Sequence, residues 1–268
     1  MIASMQGKRG LIMGVANNHS IAWGIAKALS TAGAELAFTY QGDALAKRVK
    51  PLAAELGSDF LLPCDVEDIA SVDAVIAAIK ERWGKLDFVV HAIGFSDKNE
   101  LKGLYADTSR ENFTRTMVIS CFSFTEIARR AADLMTEGGS ILTLTYGGSM
   151  RVIPNYNVMG VAKAALEASM RYLAADFGPR GIRVNAISAG PVRTLAGAGI
   201  SDARAMLNWN VKNAPLRRTA TIDDIGGSAL YLLSDLSASV TGEVHYVDGG
   251  YNIIALPVLD ELRKSDAE

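Results

Sequence analysis

Two tyrosines and a lysine, Tyr146, Tyr156 and Lys163, are the side chains whose types and spacing would support chemistry. A phenol is a weak acid and a directional hydrogen-bond donor, and an ammonium beside it favours the phenolate. Tyr156 and Lys163 are seven residues apart, which on a helix is two turns along one face. Lys163 lies in the otherwise apolar run Val161-Ala162-Lys163-Ala164-Ala165-Leu166. An isolated buried ammonium is costly, so this lysine must be paired or near solvent. Asn155-Tyr156-Asn157 opens a helix just after Pro154, and Tyr146 directly precedes Gly147-Gly148-Ser149 at the end of an apolar run. The two phenols would then converge on one cleft, with Lys163 lowering the Tyr156 pKa from its usual value of about 10. For a random pair, a packed tyrosine and a snorkelling lysine is the common outcome. The surrounding elements decide between the two.

Short apolar runs alternate with longer amphipathic ones along most of the chain. Strands are expected at 10–15, 35–40, 59–62, 86–91, 140–145, 182–187 and 244–247, and helices at 21–31, 43–56, 69–83, 110–135, 156–177 and 222–233. Strands separated by helices of this length imply right-handed crossovers and a parallel sheet covered on both faces. The expected fold is therefore α/β, a Rossmann-type doubly wound parallel sheet of about seven strands in a single domain. Residues 191–218 are the least regular and include Gly197, Gly199 and Pro215. Such a segment reads as a lid, placed at about 193–215.

Composition narrows the class. Hydrophobic residues at 49% and a length of 268 residues suffice for a large core without staples. A formal net charge of -2 gives no reason to expect nucleic acid or an anionic membrane as partner. Two cysteines, Cys64 and Cys121, are too few for a disulfide framework, and His19, His91 and His245 lack metal-ligand spacing. No run approaches the ~18 apolar residues that span a bilayer, and the start has no apolar core of a secretory signal. The expected compartment is the cytoplasm.

The first strand runs into Gly14-Val15-Ala16-Asn17-Asn18-His19-Ser20-Ile21-Ala22-Trp23-Gly24. In such folds a dinucleotide's pyrophosphate sits at the N-terminus of the next helix. Gly14 would permit the tight turn, Gly24 the close packing of helix on sheet, and Ser20 would act as N-cap or phosphate ligand. The usual middle glycine is absent, so a plain capped turn explains the stretch as well. Phe38-Thr39-Tyr40-Gln41 ends the second strand. Gln41 is neither the acid that binds a free ribose nor the arginine that suits a 2′-phosphate; with only Lys47 and Arg48 nearby, the reading leans to NADH, with NADPH as the alternative. Asp65 and Gly94 follow the third and fourth strands, where ligands of open α/β sheets gather, although a helix N-cap and an ordinary turn explain each singly.

Taken together these segments resemble a short-chain dehydrogenase/reductase over nearly the whole chain. The general pattern of that superfamily places a Tyr four residues before the Lys and a Ser thirteen before that Tyr; here those positions hold Met159 and Tyr146. The tyrosine stands one turn earlier, giving Tyr156-x6-Lys163. That departure is similar to the divergent branch of bacterial enoyl-acyl-carrier-protein reductases, as are Gly14 through Gly24, Phe38-Thr39-Tyr40-Gln41, Ile153-Pro154-Asn155-Tyr156-Asn157-Val158-Met159-Gly160 and Ala186-Ile187-Ser188-Ala189-Gly190-Pro191-Val192-Arg193-Thr194-Leu195-Ala196. Ser120 stands where ordinary members have a helix Asn.

The resemblance implies hydride transfer from NADH to the β-carbon of a trans-2-enoyl thioester on acyl carrier protein. Tyr156 would hold the enolate oxygen, Lys163 the nicotinamide ribose, and Tyr146 would line the thioester end. It further implies that Gly14, Ser20, Ile21, Gln41, Asp65, Val66, Ile93, Gly94, Val192, Thr194 and Ala196 border the cofactor. Ser96 and Met206 would meet substrate, and Met206, Leu207 and Trp209 suit a greasy lid. It also implies a homotetramer joined through the helices at 110–135 and 156–177. Acyl carrier protein is acidic, which makes Arg193, Arg204, Lys212, Arg217 and Arg218 a candidate docking patch. Two rival readings stand beside this one: a carbonyl reductase of the same superfamily, and a dinucleotide-binding sensor that turns nothing over.

Overall fold

Seven strands rich in β-branched and large apolar residues form one sheet: β1 (Arg9–Met13), β2 (Glu35–Tyr40), β3 (Leu61–Pro63), β4 (Phe88–His91), β5 (Gly139–Thr145), β6 (Ile182–Ala189) and β7 (Val244–Val247). Every pairing is parallel, and the spatial order is β3-β2-β1-β4-β5-β6-β7. The helices are α1 (Ile21–Thr31), α2 (Gly42–Glu55), α3 (Ile69–Trp83), α4 (Arg110–Met117), α5 (Ser123–Ala132), α6 (Asn157–Phe177), α7 (Ala203–Asn213) and α8 (Ile222–Leu233). The computed structural model describes residues 3–192, 194 and 203–259.

Strand residues alternate between two cores, one on each face of the sheet, as their period of two requires. Leu11 and Met13 join Val72, Ile79, Phe124, Leu166 and Met170 on the face covered by α3, α5 and α6. Ile12 and Val90 join Ile25, Leu29, Val49, Ile225 and Leu232 on the face covered by α1, α2 and α8. This is the doubly wound arrangement expected. Strand order reverses between β1 and β4, whose ends remain linked by Ala92 N–H donating to Met13 O at 3.1 Å. In such sheets that reversal opens the ligand crevice.

Two glycines are required where the chain passes closest. Gly14 has φ +102°, and a Cβ there would lie 2.1 Å from Ala92 O. A Cβ on Gly24 would lie 2.3 Å from Ile222 O, so α1 and α8 meet backbone to backbone.

The structure departs from the sequence expectations at boundaries and at one interior point. The helical stretch at 110–135 is not continuous: α4 gives way to a π-helical turn at Val118–Phe122, and α5 ends at Ala132. One inserted residue turns the pattern of the following helix by about 100°, a shift that a short apolar stretch does not register. The third strand runs Leu61–Pro63 rather than 59–62 because it pairs with Phe38–Tyr40 of β2. Within the segment read as irregular, α7 is a helix of 11 residues. No described helix is long and apolar enough to cross a membrane.

Candidate active site

β5 ends at Thr145, and Tyr146 follows it in extended conformation before a short 3-10 turn at Gly147–Ser149. The chain then returns to α6, which begins at Asn157, so Tyr156 is the N-cap and not the first helical residue as expected. Tyr156 is flanked by two residues in the left-handed region, Asn155 (φ 59°) and Asn157 (φ 36°). Asparagine tolerates that region better than most residues, and such backbone holds a side chain at a fixed angle. The Tyr146 and Tyr156 rings meet edge to face, centroids 5.1 Å apart, a favourable aromatic geometry. Leu101, Val158, Met159 and Ile153 pack around them. Gly148 makes the seat, since a Cβ there would stand 2.5 Å from Tyr156 Cδ1. Tyr156 is 7% exposed, and its hydroxyl has no hydrogen-bond partner among the described residues.

Lys163 lies two turns along α6 and is 8% exposed. Its Nζ donates to Leu144 O at 2.8 Å, at the end of β5. The ammonium also lies over Gly94 after β4: a Cβ on Gly94 would be 3.8 Å from Lys163 Nζ and 3.8 Å from Ser120 Oγ. The π-helical turn presents Ser120, whose Oγ accepts from Phe95 N–H and donates to Phe95 O, each at 2.9 Å. One hydroxyl thus holds the chain that follows Gly94.

The electrostatics correct one expectation. Burial, and then the neighbouring Tyr146, push the Tyr156 phenol well above the usual tyrosine value, and Lys163 does not pull it down. The reason is geometric: the ammonium is engaged on Leu144 O, toward the β4 and β5 ends, rather than on the phenol. Burial brings Lys163 down to about 8, with Cys121 and Glu167 opposing the fall. His91, fully buried at the end of β4, falls to about 3 through burial and then the Lys163 charge. Ser123 Oγ donates to Ile119 O at 2.7 Å, so at 2.9 Å it accepts from His91 Nε2–H, leaving Nδ1 without a partner.

The other strand ends complete a shelf. Ser20 precedes α1 as expected, but its Oγ caps nothing; it accepts from Ala16 N–H at 3.0 Å and Asn17 N–H at 3.1 Å, tightening the loop after Gly14. Trp23 and Gly24 N–H donate to Ser20 O, and Ile21 and Ala22 N–H, which have no hydrogen-bond acceptor among the described residues, are the groups that could take an anion. Gln41 Nε2 donates to Asp65 Oδ2 at 2.9 Å, while Asp68, not Asp65, caps α3. Ile21, Val66, Ile93 and Val192 present partly or fully buried apolar surface beside these groups. Thr194 is half-buried, and Ala196 lies outside the described residues. A helix N-terminus for pyrophosphate, an amide–carboxylate pair at the β2 and β3 ends, and an ammonium beside a glycine floor fit a dinucleotide. Lys47 and Arg48 are exposed on α2.

A family model described as Enoyl-(Acyl carrier protein) reductase matches residues 14–252. The chain belongs to the enoyl-(acyl carrier protein) reductase family. It is 82% identical over 264 residues to enoyl-[acyl-carrier-protein] reductase [NADH] 2 of Rhizobium meliloti (strain 1021), covering 98% of each chain. Among solved structures it is similar to FabI from Candidatus Liberibacter asiaticus (66% identity, TM-score 0.94, 96% of this chain and 100% of that one). It is also similar to the enzyme from Anaplasma phagocytophilum in complex with NAD (60% identity, TM-score 0.92, 95% and 97%).

In this enoyl-(acyl carrier protein) reductase two of the predicted substrate residues, Tyr146 and Tyr156, meet, while Ser96 and Met206 stand on other segments. Ser96 Oγ donates to Asn112 Oδ1 at 3.2 Å and accepts from Thr116 at 2.9 Å, so its hydroxyl is engaged with α4. Met206 is half-buried on α7. Of the proposed basic patch, Arg218 is paired with Asp224 and Arg217 donates to Lys212 O, while Arg204 is exposed and Arg193 lies outside the described residues. Sequence reasoning missed Leu101, which packs on Tyr156 across 55 residues of chain. It also gave no role to Tyr251, whose OH accepts from Trp209 Nε1 at 3.0 Å. Gly148 carried a signal, a glycine pair directly after Tyr146.

Proposed function

We propose that the chain is an NADH-dependent enoyl-acyl-carrier-protein reductase of fatty-acid elongation, acting in the cytoplasm on trans-2-enoyl thioesters. The reading rests above all on the Tyr146–Tyr156 pair standing beside a Lys163 ammonium anchored on Leu144 O. When bound, NADH supplies the hydride. Lys163, protonated below about pH 8, would donate to the nicotinamide ribose hydroxyls. The α1 N-terminus would take the pyrophosphate, the Gln41–Asp65 pair would meet the adenosine end, and Gly14, Ser20, Ile21, Val66, Ile93, Gly94, Val192, Thr194 and Ala196 would border the cofactor.

The Tyr156 phenol, held neutral by burial, would donate its hydrogen bond to the thioester oxygen as negative charge develops there. A fixed donor in a water-poor site is worth far more than one in water. A raised pKa suits this role, because the phenol stays a neutral donor as charge builds on the oxygen, and protonation at the α-carbon then completes the reduction. Tyr146 would line the thioester end, and Ser96 and Met206 the acyl path, with 193–215 closing as a lid. Acyl carrier protein is the carrier this reading requires, and a homotetramer the assembly.

The test is steady-state oxidation of NADH or NADPH with crotonyl thioester and, separately, with simple ketones. Turnover of the enoyl thioester with NADH is expected. Turnover of ketones alone would favour a carbonyl reductase, and cofactor binding without turnover of either would favour a sensor.

A further inference from the structure

Glu167 is a carboxylate that the chemistry above does not use. It lies one turn beyond Lys163 on α6, is 4% exposed, and accepts from Thr145 Oγ1 at 2.6 Å. Thr145 is itself 4% exposed and is the last residue of β5. Its two neighbours both belong to the site: Leu144, whose carbonyl receives Lys163 Nζ, and Tyr146. A buried carboxylate is costly unless a charge or strong donors offset it, so a stability role alone gives no reason to keep one here.

We propose that Glu167 is a positioning residue for the cofactor site: its carboxylate, gripped by Thr145, balances the buried Lys163 charge and locks the β5 end that carries Leu144 O and Tyr146. This rests on the reading that Lys163 holds the nicotinamide ribose. Among the described residues, the titratable groups that interact with the Lys163 charge are His91 from β4, Cys121 from the π-helical turn and Glu167 from its own helix. His91 is neutral at pH 7 because burial and Lys163 hold it near 3. Burial also pushes the Cys121 thiol up, so it is uncharged at neutral pH. Of the groups that oppose desolvation of the ammonium, Cys121 and then Glu167, Glu167 is the carboxylate. Without it Lys163 would lose its proton at lower pH, and with the proton a donor to the ribose.

The experiment is the dissociation constant of NADH measured across pH 6 to 10 on the full chain, for wild type, Glu167→Gln, Thr145→Val, Thr145→Ser and Lys163→Met. Glu167→Gln keeps the shape and an acceptor for Thr145. Wild-type affinity should weaken with a midpoint near 8. Glu167→Gln should move that midpoint down by about one pH unit or more, so that NADH binds about tenfold more weakly at a pH where wild type is still saturable. Thr145→Val should shift in the same direction, and Thr145→Ser should restore the wild-type curve. Lys163→Met should be flat. A Glu167→Gln curve that overlays wild type while Lys163→Met is flat overturns the role of Glu167 and leaves Lys163 in place. A Lys163→Met curve with the wild-type midpoint overturns the ribose role and, with it, the assignment to Glu167.

Discussion

At the residue scale, the site divides its labour between a proton held and a charge held. The Tyr156 hydroxyl keeps its proton because burial opposes the phenolate, and Lys163 keeps its charge to about pH 8 while anchored on a backbone carbonyl. Tyr156→Phe removes one hydroxyl from a ring still seated against Gly148, so NADH affinity should hold within about twofold. The rate with crotonyl thioester should fall about 100-fold or more, as for loss of one donor to developing oxyanion charge. Wild-type turnover in that variant would refute the donor role. Gly148→Ala would set a Cβ 2.5 Å from Tyr156 Cδ1. It should lower kcat more than NADH affinity, since the displaced ring carries the phenol donor while the pyrophosphate and adenosine ends of the shelf lie at β1, β2 and β3.

Single elements hold these residues by small devices. The π-helical turn between α4 and α5 swings Ser120 onto both backbone groups of Phe95, fixing the loop that carries Gly94. Arg115 adds to this, with its guanidinium 4.6 Å over the Phe95 ring and paired with Glu67 at 2.9 Å. Ser120→Ala leaves a donor and an acceptor unmet, a loss of about 1–3 kcal/mol. A melting temperature lower by several degrees and weaker NADH binding are expected, read by calorimetry and by fluorescence titration. On the opposite face, Gly24→Val would drive a side chain into Ile222 O and should abolish soluble folded protein. Pi-turns recur at functional sites for this reason: one extra residue re-aims a side chain without ending the helix.

On the scale of the whole molecule, the buried histidine ties stability to pH. His91 has a folded value near 3, against an ordinary one near 6.5. The unfolded chain therefore binds more protons between these values. Its contribution is complete above about pH 6.5 and is lost as pH falls toward 3. Melting temperature should decline over that window, and His91→Gln should flatten the decline. Apolar side chains also remain exposed on the helices near the site, among them Phe122 at 54% and Tyr172 at 75%. The homotetramer proposed above would cover them. Light scattering should give a homotetramer, and Phe122→Glu with Tyr172→Glu should give smaller species.

The alternation of strand-like and helix-like runs determined the sheet, its parallel sense and its single domain, because crossovers of that length admit few topologies. The Tyr156-x6-Lys163 spacing and the glycines at 14 and 24 were equally legible, since each encodes a local geometric demand. What only tertiary structure decided was direction and environment. The ammonium turned to Leu144 O instead of the phenol, the Ser20 hydroxyl turned back into its own loop, and the π-turn brought Ser120 to Phe95. Leu101 joined the site across a long stretch of chain, and Thr145 at the β5 end met Glu167 on α6. Those outcomes depend on which groups burial strips of water and which partner then lies within reach, and spacing along a chain carries no record of either.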